Sequence, residues 1–151
     1  MEDKKLERLK NLLEELKKAQ TGGVKASQLT DETKYLMSSV ETALNQKNFK
    51  FVGDNGFGQG TRPPKIPGYD RIPDFAVDRN GDDRWDMIIE IKSSTDWNQS
   101  DEQLKDFWTY SKDNNLDFLI VVSEDLFNEA EKRYASLGFK SYDKYNIVPI
   151  G

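Results

Sequence analysis

The stretch IPDFAVDRNGDDRWDMIIEIKSS, Ile72 to Ser94, decides the fold. Two apolar runs flank "RNGDD", whose Asn80-Gly81 is a strong hairpin signal. They predict strands over 72–78 and 85–92. Side chains alternate across a strand, so Phe75 and Val77 share one face, and Met87, Ile89 and Ile91 share another. Together these sets can form a common core surface. The opposite face carries Asp74 and Asp78 on the first strand, and Asp86, Glu90 and Lys92 on the second. With a connection of about four or five residues, antiparallel pairing is expected to set Asp74 beside Glu90. A solvated hairpin face, with ion pairs of little value, is one account of these charges. Yet Ile72, Ala76 and Ile88 lie on that same face. That frame predicts a partly covered floor, where carboxylates repel one another unless a cation joins them. Spacing alone leaves both accounts open.

Outward from the hairpin, the periodicity changes. Ser100 to Gln103 has the S-x-x-Q form of a capping box and predicts a helix to about Asn114. "FLIVV" from Phe118 reads as a central strand buried on both faces. Ser123 is the expected cap of a further helix ending before Gly138, and "NIVPI" suggests a last short strand. Upstream, a helix is expected over 31–46, capped by Thr30 or Asp31, with Leu36, Val40, Ala43 and Leu44 facing inward beside Tyr35. Phe49 to Val52 reads as a first strand, and "GDNGFGQGTRPPKIPG" as loop. The "GFGQG" within it is no P-loop, because the Gly-Lys-Ser/Thr ending is missing and no helix follows. The order of elements predicts an α/β fold, a mixed central sheet flanked by helices.

The N-terminal 1–23 forms a separate helical arm in this reading. Leu6, Leu9, Leu13 and Leu16 make a coiled-coil-like seam of about two heptads, with Leu12 beside it. Such a helix either packs on its own domain or joins two copies as a homodimer. The α/β domain then spans 24–151.

Composition excludes several chemistries. The 151 residues contain neither cysteine nor histidine. That removes thiol nucleophiles, disulfides, Ser-His-Asp triads and imidazole- or thiolate-held metals. Any bound metal must be a hard cation on carboxylates and carbonyls, Mg²⁺ or Mn²⁺. A net charge of -5 weighs against a phosphate-binding surface without deciding it, since local charge matters more than the sum. No apolar run approaches the ~20 residues of a membrane span, and the charged N-terminus is no secretory signal. A cytoplasmic protein without membrane contact is the expectation.

Pro73-Asp74, a gap of 15 residues, and then Glu90-Ile91-Lys92 resemble the signature of the PD-(D/E)XK nuclease superfamily. The order of elements from about 31 to 123 also resembles that family's αβββαβ core. "QLKDFWTYSK" from Gln103 is similar to the glutamine-bearing helix of its resolvase-like and toxin-like branches. The resemblance implies a restriction-endonuclease-like fold and a Mg²⁺- or Mn²⁺-dependent endonuclease, with DNA favoured over RNA. Asp74 and Glu90 would be metal ligands, helped by the Ile91 carbonyl. Lys92 would position the attacking water or stabilise the phosphorane-like transition state, and Gln103 would contact water or phosphate. The family often adds an acid from the first core helix. Glu32 fits that position, although a first-turn glutamate also suits the helix dipole unaided.

Arg62, Lys65 and Arg71, in or beside the Pro/Gly-rich loop, would contact nucleic acid, or else decorate an ordinary surface loop. Trp97, following "KSSTD", could stack on a nucleotide. Phe107 and Trp108, at helical spacing with Leu104, read as core. Two alternatives carry different partners: a toxin-type DNase or tRNase domain with an immunity protein, and a non-catalytic nucleic-acid-binding or scaffold protein of the same fold.

Overall fold

The computed structural model describes residues 31–54, 63–139 and 145–150. The 1–23 arm, the dimer contact expected of it, and Arg62 lie outside the described residues. The described chain is α/β: three helices and a five-stranded mixed sheet. In order they are α1 (Glu32–Gln46), β1 (Lys50–Gly53), β2 (Phe75–Asp78), β3 (Met87–Ile91), α2 (Asp101–Asp113), β4 (Asp117–Ser123), a 3₁₀ turn (Glu124–Leu126), α3 (Phe127–Ser136) and β5 (Tyr145–Ile150). Among these described residues no helix is long and apolar enough to cross a membrane.

Strand order follows chain order, β1-β2-β3-β4-β5. The first three strands are antiparallel, while β4 and β5 run parallel to β3. A parallel pair needs a long crossover, and α2 supplies it between β3 and β4. All seven residues of β4 are buried, as its unbroken apolar run requires. Leu119 and Val121 enter the core under α1, with Leu36, Val40 and Leu44. Phe118, Ile120 and Val122 enter a second core under α2 and α3, with Leu104, Phe107 and Tyr134. The sheet is therefore the middle of three layers. Phe107 is fully buried and Trp108 stacks on Phe139 at 5.5 Å, so both are core residues as expected.

Three local expectations fail, and each failure has a competing partner. The hairpin connection is longer than four or five residues, since the β2–β3 ladder closes at Val77–Met87. The Asp78 carboxylate organises that longer turn by accepting the N–H groups of Gly81, Asp82 and Asp83. Burial alone would raise the Asp78 carboxyl, but these N–H donors outweigh it and hold it below the usual range. The Ser100–Gln103 capping box does not form: Ser100 Oγ donates to the Asp96 carbonyl, and Gln103 Oε1 is taken by the Lys92 ammonium. A charge-assisted bond from a buried lysine is stronger than a neutral capping contact. Ser123 caps no helix, because a 3₁₀ turn intervenes and its hydroxyl donates to Glu32 instead.

Candidate metal centre

The β2–β3 register sets Phe75 against Ile89. One step further, Asp74 lies opposite Glu90, as the sequence suggested, and the two strands exchange side-chain bonds there. The Asp74 N–H donates to Glu90 Oε1 at 2.9 Å, and the Ile91 N–H donates to Asp74 Oδ2 at 2.7 Å. Each carboxylate thus spends one oxygen on the opposite strand. Asp74 Oδ1 accepts no hydrogen bond from the described residues.

Lys92 extends the β3–β4 pairing, its N–H donating to the Val121 carbonyl. Its side chain is buried, with Nζ 3.6 Å from Glu90 Oε2 and 2.6 Å from Gln103 Oε1. Asp74, Glu90, Lys92 and Gln103 therefore form one connected group where β3 leaves the sheet, the carboxyl end at which open α/β sheets place ligands.

The electrostatics of this group are unresolved within the protein. Burial, and after it the repulsion of Asp74, pushes the Glu90 carboxyl well above ordinary glutamate values, against the pull of Lys92. Burial likewise pushes Asp74 up to about 6, against the Ile91 N–H and Lys92, while Asp54 and Asp96 add to the rise. Asp54 escaped the sequence reading, which ended the first strand at Val52. Its N–H donates to the Asp74 carbonyl, so Asp54, Asp74 and Glu90 occupy one row across three strands. An acid ending a strand beside a neighbouring acid was the available signal.

The donor set fits a hard divalent cation. It offers carboxylate oxygens with raised proton affinity and no soft ligand. A different acidic cluster also exists: ligand oxygens of Asp78, Asp82 and Asp86 lie within 4.8 Å of one another. There, however, Asp78 is saturated by backbone N–H groups and Asp86 pairs with Arg79 at 2.7 Å. The charge of that cluster is largely answered already. At Asp74 and Glu90, one lysine faces two acids.

The remaining expected residues are placed as follows. Glu32 accepts from the Ser94 N–H, the Ser94 hydroxyl and the Ser123 hydroxyl, tying α1 to the loop after Lys92 and to the end of β4. No bond joins it to Asp74 or Glu90. Ser94 carried no signal in the sequence beyond its polarity, and Ser123 read only as a helix cap. Lys65 pairs with Asp70 at 2.8 Å, both exposed, and Arg71 pairs with Asp106 at 2.9 Å. Arg71 also lines a groove of about 550 Å³ with Asn98 to Gln103, so Gln103 joins that groove to the acidic row. Trp97 is half-buried against the second core, and its carbonyl accepts the Tyr134 hydroxyl at 3.0 Å.

The raised carboxyls give a pH prediction. A group whose folded pKa exceeds its unfolded value stabilises the fold when protonated, and that contribution is lost as pH rises through the folded value. For Asp74 the loss begins near the unfolded carboxyl range, about pH 4, and is complete just above the folded value of about 6. In EDTA, the wild-type protein should therefore lose about 1–2 kcal/mol relative to Asp74→Asn between about pH 4 and pH 7.5. That figure discounts the full shift for the partial exposure of Asp74. Urea midpoints at the two pH values check it, and equal pH dependence in both proteins would contradict it.

Compared with family models, curated proteins and solved structures, the chain has no match.

Proposed function

We propose that this chain is a Mg²⁺- or Mn²⁺-dependent phosphodiesterase acting on nucleic acid, built on a restriction-endonuclease-like fold. The observation that carries this is the cross-strand pair Asp74–Glu90 with the buried Lys92 and Gln103 beside it. The succession of a helix, three antiparallel strands, a helix and a strand parallel to the third supports the fold.

Asp74 and Glu90 would hold the cation, which supplies charge neutralisation at the phosphate and an acidified water. A bound cation would offset the burial that chiefly raises both carboxyls, and with it the repulsion of Asp74 on Glu90, so both would be ionised at neutral pH. Glu90 is fixed by the Asp74 N–H and Asp74 by the Ile91 N–H, which limits reorganisation during the reaction. Gln103 holds the Lys92 ammonium at the edge of the groove that also contains Arg71. From there Lys92 donates a hydrogen bond toward the attacking water or a non-bridging phosphate oxygen as charge develops.

The test is incubation of the protein with single-stranded DNA, duplex DNA and RNA, in Mg²⁺ or Mn²⁺ and in EDTA. Cation-dependent cleavage is expected, and no cleavage of any substrate would remove the catalytic assignment. One observation favours a second reading, a non-catalytic protein of the same fold. Lys92 is 4 % exposed and 3.6 Å from Glu90, so its charge has an internal partner.

A further inference from the structure

A second cavity, of about 360 Å³, lies beside Asp74. Its floor is the cross-strand pair Ala76–Ile88, buried and two residues along each strand from the Asp74–Glu90 row. That step is about 7 Å on one face of the sheet. The half-buried Trp85, from the β2–β3 connection, and Tyr110, from α2, form the aromatic part of its lining. Arg84 and Lys65 supply its positive charge. The volume suits a small planar ligand lying partly enclosed.

The charges around the cavity favour an anion. Arg71, Arg79 and Arg133 each pair with an aspartate. Exposed Arg84 makes no ion pair with any described residue, and only its backbone N–H is engaged, by Asp82. The acid of the lining, Asp83, is held by Lys50 at 2.8 Å. That pair and the Lys65–Asp70 pair, also at 2.8 Å, are both exposed and of little energetic value, so the lining sets two cations, Lys65 and Arg84, against one acid. Aromatic groups over an apolar floor, with an unspent guanidinium, match the two halves of a nucleotide. The base takes the flat apolar space, and the phosphate takes the cation.

We propose that this cavity takes one unpaired nucleobase, that of a nucleotide neighbouring the phosphate engaged at Asp74–Glu90, and that Arg84 binds the backbone phosphate of that nucleotide. The assignment rests on the nuclease reading for its orientation, and it names the substrate class: nucleic acid with single-stranded character at the cut. A base in an intact duplex would first have to leave its stack, at a cost of a few kcal/mol. Single strands, flaps and frayed ends avoid that cost.

The test is fluorescence anisotropy on the full chain with a short labelled oligothymidine in EDTA. An abasic oligomer of equal length and charge, and the corresponding duplex, serve as comparisons. Wild type should bind the thymidine strand about tenfold more tightly than either, the size of one stacked base. Trp85→Ala should remove that preference, Trp85→Phe should restore it, and Arg84→Ala should weaken both single strands alike. Equal binding of thymidine and abasic strands, or a preference that survives in Trp85→Ala, would overturn the proposal. Cleavage assays in Mg²⁺ separate it from the nuclease reading. A base preference that depends on Trp85 but comes without cleavage keeps the base site and removes the enzyme. Cleavage without a base preference does the reverse.

Discussion

Glu90→Gln and Asp74→Asn are each expected to lower phosphodiester cleavage at least about a thousandfold while leaving the protein folded. In Glu90→Gln the side-chain amide oxygen can still accept the Asp74 N–H, so the cross-strand bond persists. What disappears is a negative charge that would hold the cation and, through it, the phosphate. Several kcal/mol of transition-state stabilisation go with it, and about 4 kcal/mol corresponds to a thousandfold. Lys92→Met should cost about a hundred- to a thousandfold, the usual loss for one preorganised donor. Initial rates in saturating Mg²⁺, with circular dichroism as the folding control, check all three. Rates for Glu90→Gln within tenfold of wild type would place the chemistry elsewhere.

Arg79→Met is expected to cost about 3–5 kcal/mol of stability, because it strips the cation from the buried Asp117 and the half-buried Asp86. Arg79 Nε donates to Asp86 Oδ1 at 2.7 Å, and Nη2 donates to Asp117 Oδ2. The side chains of Arg79 and Asp117 are 7 % and 4 % exposed. Asp117 Oδ1 is buried without a hydrogen-bond partner among the described residues, so none of these answers the charge of that residue once Arg79 is gone. The cost therefore lies in the stranded acid rather than in a lost favourable contact. The pair also joins the entries of β3 and β4, where the Asp117 N–H donates to the Asp86 carbonyl. Equilibrium urea unfolding measures the loss, and a change below about 1 kcal/mol would mean that water reaches Asp117.

The sequence carried the sheet because its signals were local and periodic. The alternation through 72–78 and 85–92 assigned each side chain to a face, and the unbroken run from Phe118 identified the strand buried on both sides. The Asp74–Glu90 pairing also emerged, although the connection proved longer than expected, since Asp78 and Arg79 consume residues to build it. What escaped were contacts between residues far apart in the chain. Ser100 and Gln103 spell a cap, yet Gln103 answers a lysine eleven residues upstream. Glu32 stands where a first-turn acid suits the helix dipole, but its partners are Ser94 and Ser123, on the far side of the sheet sequence. Trp85 read only as the first residue of a strand and Arg84 only as the residue before it, because the cavity they line is completed by α2 and by residues 64–67. Local propensity cannot report a partner that only the tertiary fold supplies.

The most direct test of the metal centre is calorimetric titration of Mn²⁺ into the full chain, its Asp74→Asn variant and its Asp82→Asn variant. Mn²⁺ should bind the wild type and Asp82→Asn alike and fail to bind Asp74→Asn. That result would put the cation between β2 and β3, beside Lys92. Binding that survives in Asp74→Asn but disappears in Asp82→Asn would assign it to the turn cluster, and a wild type that binds no Mn²⁺ would contradict a metal centre at Asp74 and Glu90.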